Sequence, residues 1–193
     1  MGYSMSWMGV RGLDRIATYD RLGLVPTEQS GDRNDYITCG RAGPYGWTLV
    51  ILGRVGHRLV QADALQRLSS GCSILACNVE EHVMFSSAEL WENGAQVWQT
   101  THDSDRSGDD LDSSGSLPAE FASIEREVRR LQAAESSTDE FGVDHFFDIP
   151  LLLARSITSF KHDETGLDEF ERLEWKSAAQ PPTAKPWWRF GRK

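Results

Sequence analysis

Two His-Asp dipeptides, His102-Asp103 and His162-Asp163, together with Glu80-Glu81-His82, are the residues of this chain best equipped for chemistry. Imidazole and carboxylate are the ligands that zinc or iron prefers, and the same groups serve as general acid and base. Brought together, Glu81, His102, Asp103, His162 and Asp163 would suit a metal-dependent hydrolase. The spacing is less specific: there is no HExxH, no paired HxH and no fixed short interval among them. A structural reading fits the same residues. A His-Asp pair can simply end a strand or a helix, where His162 favours the negative helix terminus. Adjacent residues of a strand also point to opposite sides, so His102 and Asp103 would not share a ligand.

Other motifs fall short of a reaction. Ser86-Ser87 has no Gly-x-Ser-x-Gly around it and sits mid-strand rather than at a strand-to-helix turn. The stretch from Gly40 to Gly46 is rich in glycine but lacks the Lys-Ser/Thr of a phosphate-binding loop. Asp103, Asp105, Asp109, Asp110 and Asp112 do not put Gly and Glu where a calcium loop needs them, so they read as a solvated acidic loop.

The elements that must position these residues centre on Asn93-Gly94, a strong signal for a two-residue hairpin turn. A hairpin without irregularity pairs Glu92 with Ala95, Trp91 with Gln96, Leu90 with Val97, and onward to Phe85 with His102. That register sets Trp91 and Trp98 diagonally on one face, close enough to stack, and turns His82 and His102 to opposite faces. Two tryptophans favour the His102 side as the buried one; Leu90, Val97 and Met84 favour the other.

Upstream, residues 4–10 read as a strand, residues 14–22 as a short helix capped by Asp14, and residues 26–46 as a long loop. Trp47 to Gly53 is an apolar run expected of a central strand, followed by a short helix over 62–68 and a strand from Ser73 that runs through a bulge into the hairpin. Downstream, Pro118 opens a long helix with Phe121, Ile124, Val128 and Leu131 inward. Asp144 to Asp148 is short and extended, and Asp148 caps a last helix that buries Ile149, Leu152, Leu153, Ile157 and Phe160. This order predicts an α+β fold, a mainly antiparallel or mixed sheet with helices packed on one face, and its opening is compatible with a ferredoxin-like element. Residues 1–176 are expected to form one domain, and 177–193 a Pro-rich linker with a basic, Trp-rich tail.

The formal charge of −9 includes four cations in the last thirteen residues, so residues 1–180 carry −13. Such a body repels phosphate backbones and suits a basic protein partner rather than nucleic acid. No long uncharged apolar stretch predicts an integral membrane span, and the opening lacks the features of a secretory signal. Cys39, Cys72 and Cys77 are odd in number and unevenly spaced, which points to core filling in a reducing compartment, with the cytoplasm as the expected location. Trp187, Trp188 and Arg189 in the tail offer a weak peripheral contact with a membrane or partner.

The opening Met1-Gly2-Tyr3-Ser4-Met5-Ser6-Trp7, the segment Val79 to Ala88, and the helix from Phe147-Asp148-Ile149-Pro150 to His162-Asp163 resemble a family of uncharacterised bacterial proteins. The resemblance covers most of residues 1–165. It implies a bacterial cytosolic origin and brings no activity or catalytic residue.

The leading expectation is therefore a non-enzymatic acidic binding module of the immunity or antitoxin kind, with no cofactor. Glu81, His82, Trp91, Trp98, Trp187, Trp188 and Arg189 are its candidate binding residues. One alternative is the metal-dependent hydrolase built on His102, Asp103, His162 and Asp163. The other is a peripheral membrane scaffold recruited by the tail.

Overall fold

A computed structural model describes residues 2–31, 38–135, 142–164 and 170–176. Its frame is a nine-stranded sheet in the order β2-β9-β3-β4-β1-β5-β6-β7-β8. The strands are β1 (Ser4–Arg11), β2 (Leu24–Gly31), β3 (Cys39–Ala42), β4 (Trp47–Ile51), β5 (Ser73–Glu80), β6 (Phe85–Glu92), β7 (Ala95–Asp103), β8 (Asp112–Gly115) and β9 (Phe170–Trp175). The helices are α1 (Arg15–Leu22), α2 (Ala62–Leu68), α3 (Phe121–Glu135) and α4 (Asp148–Thr158).

Alternation along the strands sorts the core into two layers. Met5 and Trp7 of β1 join Leu49 and Ile51 of β4 and Leu75 and Cys77 of β5 under Leu151, Leu153 and Ala154 of α4. Met8 and Val10, with Val50, Ile74 and Ala76, face Tyr19 and Leu22 of α1 and Leu65 of α2. The continuous apolar run at β4 is thus buried on both sides, as expected. The α+β class stands, but the helices cover both faces of the sheet rather than one. Every described strand pairing is antiparallel.

Residues 26–46 do not form one long loop. They supply β2, β3 and a short 3-10 turn, and β9 inserts between β2 and β3. Polar, glycine-bearing strands such as these hide the alternation that signals a strand. Gly40 is needed there because a Cβ would fall 2.6 Å from the Tyr19 hydroxyl. Nor does β5 run on into the hairpin: it turns back through residues 81–84, where Met84 adopts φ +47°, to pair with β6. At α4 the cap is Phe147, without a side-chain bond, and Asp148 sits inside the first turn.

The β6–β7 hairpin closes at Asn93-Gly94, both with positive φ as a type I′ turn demands. Its first two pairs are the expected ones, Glu92 with Ala95 and Trp91 with Gln96. The register then shifts by one, so Leu90 faces Trp98 and Ser86 faces His102. Val97 is the extra residue. Its carbonyl accepts the Ser116 N–H at 2.8 Å, and the neighbouring Gly115 leaves no room for a side chain, since a Cβ would lie 2.3 Å from that oxygen. One inserted residue flips every later side chain of β7. Trp91 and Trp98 therefore enter opposite cores and do not stack, and Trp98, Thr100 and His102 form the buried face of β7 under α3 and α4.

Candidate functional site

His102 is completely buried near the end of β7. Its Nδ1 lies 2.7 Å from the carbonyl oxygen of Asp110, and its Nε2 lies 2.9 Å from Oδ2 of Asp144. The ring therefore ties the β7–β8 loop to the segment that leads into α4. Ser86, opposite on β6, strengthens the same corner by donating its hydroxyl to the Phe147 carbonyl at 2.6 Å. Phe146 closes the site, its ring 6.3 Å from the imidazole, and Arg129 of α3 lies 5.0 Å from the Phe146 ring centre.

The loop that His102 anchors carries Asp103, Asp105, Asp109, Asp110 and Asp112 with a single cation, Arg106. Arg106 reaches Asp103 at 3.6 Å and Asp110 at 3.9 Å, and the Asp105 N–H donates to Asp103 at 3.2 Å. The Ser107 hydroxyl donates to Asp109, which lowers the pKa of that carboxyl, with Arg129 adding to the effect. Ser104 fastens the loop's start by donating to the Val83 carbonyl at 2.9 Å. Asp103 itself stays beside Arg106 and does not meet a histidine.

His162, just beyond α4, is 1% exposed and has different partners. Its Nε2 is 3.0 Å from Oε1 of Glu81, whose other oxygen accepts the Tyr3 N–H at 2.8 Å. Tyr3 packs edge-on against the imidazole at 4.9 Å. Burial lowers the His162 pKa, against the pull of Glu81. Asp163 turns to Lys161 at 2.8 Å, and Lys161 also reaches Asp148 at 3.0 Å. Burial raises the Asp163 carboxyl, but the Lys161 ammonium outweighs it and the net shift is downward. His82 is exposed in the β5–β6 turn and pairs with Glu80 at 2.7 Å.

The expected constellation is thus two separate buried His-acid contacts. His102 is joined to Asp110 and Asp144, and His162 to Glu81, with no partner in common. Among the described residues, no group of three or more His, Cys, Asp or Glu side chains is placed to hold a metal ion. Trp91 and Trp98 are 8% and 1% exposed core residues, and the Trp91 indole N–H is taken up by Glu89 at 2.6 Å. Trp187, Trp188 and Arg189 lie outside the described residues. Among the described residues no helix is long and apolar enough to cross a membrane.

Two features were not singled out from the sequence. Asp144 stood in a segment read only as extended, and nothing local marks it as the partner of a histidine 42 positions away. The second is a basic corner on the opposite face. His57 stacks on Trp175 at 5.9 Å, and the Arg58 guanidinium sits 4.0 Å over the same indole, beside a cleft of about 410 Å³. Burial, then the charges of Arg54 and Arg58, depress the His57 pKa to about 4. A run of Arg54, His57 and Arg58 was the available signal.

Compared with known proteins, the chain matches no family model, no curated sequence and no solved structure. Fold and site define its class: an α+β protein on a nine-stranded antiparallel sheet, with an acidic loop pinned beside one sheet edge by a buried histidine.

Proposed function

We propose that this protein is a non-enzymatic binding module, of the immunity or antitoxin kind, that docks a basic protein through its Asp103–Asp112 loop. The observation that carries the reading is how the loop is mounted. Five carboxylates with one arginine are held in a fixed conformation by His102, Ser104 and internal hydrogen bonds. A pre-ordered acidic surface loses little conformational freedom on binding and steers a cationic partner by its field. The −13 charge of residues 1–180 extends that field across the body of the protein.

The test compares wild-type protein with a variant carrying D103N, D105N, D109N and D112N, each immobilised and exposed to lysate of the source cell. The expected result is a basic protein retained by the wild type, released by moderate salt, and not retained by the variant. Retention of no basic protein, or retention indifferent to both salt and the four substitutions, overturns the reading.

A further inference from the structure

We propose that the basic corner around Trp175 binds a small organic anion, its charged oxygens held by Arg58 and Arg54 and its apolar stem laid along Leu22, Leu59, Leu68 and Trp175. The proposal does not depend on what the acidic loop binds.

Three parts of the chain assemble the corner. Helix α1 ends there at Leu22, the turn Arg58–Val60 leads into α2, and Trp175 closes β9. Between them lies the cleft of about 410 Å³, inside the range of roughly 300–1,000 Å³ that small-molecule sites occupy. Its walls set Leu22, Leu59 and Leu68 beside charged side chains. That mixture seats an apolar stem and fixes a polar head.

Most of the charges at the rim are already engaged. Arg21 donates to the carbonyls of Leu68 at 3.1 Å and Ser70 at 2.6 Å. Arg67 pairs with Asp63 at 3.2 Å, and Lys176 pairs with Asp20. Arg58 and Arg54 differ. Neither makes an ion pair with a carboxylate among the described residues, and the charge that acts on Arg58 is that of Arg54. Burial and this second cation lower the Arg58 pKa, and both arginines depress His57. In a chain of net charge −9, positive charge is thus gathered where the fold brings no described carboxylate to meet it.

An oxoanion answers that imbalance. A guanidinium keeps its charge, and its planar fork matches the oxygens of a carboxylate or phosphate. The Arg58 guanidinium carbon sits 4.0 Å over the Trp175 ring, a cation–π seat that places the head-binding group before a ligand arrives. His57 stacks on the same indole at 5.9 Å and takes the Leu59 N–H on Nδ1 at 3.2 Å. With its pKa at about 4, it braces the indole near neutral pH without adding charge.

Hexyl phosphate is the probe, titrated into the full chain while the Trp175 indole N–H, assigned by its loss in W175F, is followed by proton–nitrogen NMR. The expected result is a saturable shift of that signal. Hexanol should produce none, and inorganic phosphate should bind roughly tenfold or more weakly, because it lacks the stem. R58Q should weaken hexyl phosphate by roughly tenfold or more, the worth of a hydrogen bond to a charged group. R54Q should weaken it several-fold, and since Arg54 is exposed, this variant keeps the test valid if R58Q disturbs the packing of Trp175. Absence of a saturable shift overturns the proposal, as does an affinity unchanged in R54Q. Inorganic phosphate or hexanol binding as tightly as hexyl phosphate overturns it as well.

Discussion

His102 and His57 are both sealed from solvent, yet they lie in opposite fields. His102 stands among acceptors, between the Asp110 carbonyl and the Asp144 carboxylate. His57 is 6% exposed, flanked by Arg54 and Arg58. Its Nδ1 accepts the Leu59 N–H at 3.2 Å, so its ring carries one proton at most. Equal burial thus accompanies opposite sets of partners. What separates the two imidazoles is the set of atoms that meets their ring nitrogens, and that set is assembled from distant parts of the chain.

The largest effect should come from breaking the first environment. H102L leaves the Asp144 carboxylate and the Asp110 carbonyl without their donor inside the protein. Each buried group left without its hydrogen-bond partner costs about 1–3 kcal/mol, and with two such groups denaturant unfolding should report a loss at or above the upper end of that range. A loss below about 1 kcal/mol would erase the distinction between the two histidines.

The second environment is sharpened by pH. His57 is depressed from 6.5 to about 4 in the folded protein, so between those values the unfolded chain binds more protons. Its stabilising contribution is complete above the unfolded value and is lost as pH falls toward the folded one. That shift corresponds to about 3 kcal/mol at most. His162, also depressed by burial, adds to the slope with the same sign. H57N retains a side-chain acceptor for the Leu59 N–H but does not titrate. Unfolding measured across this range should show a shallower pH slope for H57N than for the wild type, and an unchanged slope would place the His57 proton elsewhere.

Much of this arrangement was legible in the residues, and what was not has a physical reason. Asn93-Gly94 identified the hairpin and its first two pairs, because a type I′ turn needs positive φ at two successive positions. The bulge at Val97 was hidden, since its cause is Gly115 and Ser116 arriving from later in the chain. That single residue decides which face His102 occupies. Strand β2 carries proline, glutamate and glycine, and β9 two glutamates and an arginine, where alternating apolar residues are expected; the pairing of β9 with β2 and β3 makes them strands. The two His-Asp dipeptides were visible as candidates. Their working partners, Asp144 and Glu81, are 42 and 81 positions distant, and no local pattern encodes such a pairing.

A neutral hydrogen bond in the His102 corner gives an intermediate effect. The Ser86 hydroxyl is fully buried and donates to the Phe147 carbonyl, holding the start of α4 against β6. S86A removes the donor and leaves the carbonyl unpaired, which costs about 1–2 kcal/mol without altering any charge. If it instead destabilises as much as H102L, the corner depends on packing of β6 against α4 rather than on the contacts of the His102 ring.

The smallest effect belongs to the pair that looks most like His102–Asp144 on paper. His82 Nδ1 lies 2.7 Å from Oε1 of Glu80, closer than the 2.9 Å between His102 and Asp144. The His82 side chain is 62% exposed, whereas that of His102 is at 0%. Water competes for both partners at the surface, and solvent screening limits such a pair to about 0–1 kcal/mol. Glu80 also keeps a second donor, the Ser4 hydroxyl, when the histidine is removed. H82A should therefore unfold within about 1 kcal/mol of the wild type, although it deletes the shorter of the two contacts. A cost comparable to that of H102L would show that distance, not the exclusion of water, sets the worth of a His-carboxylate pair in this protein.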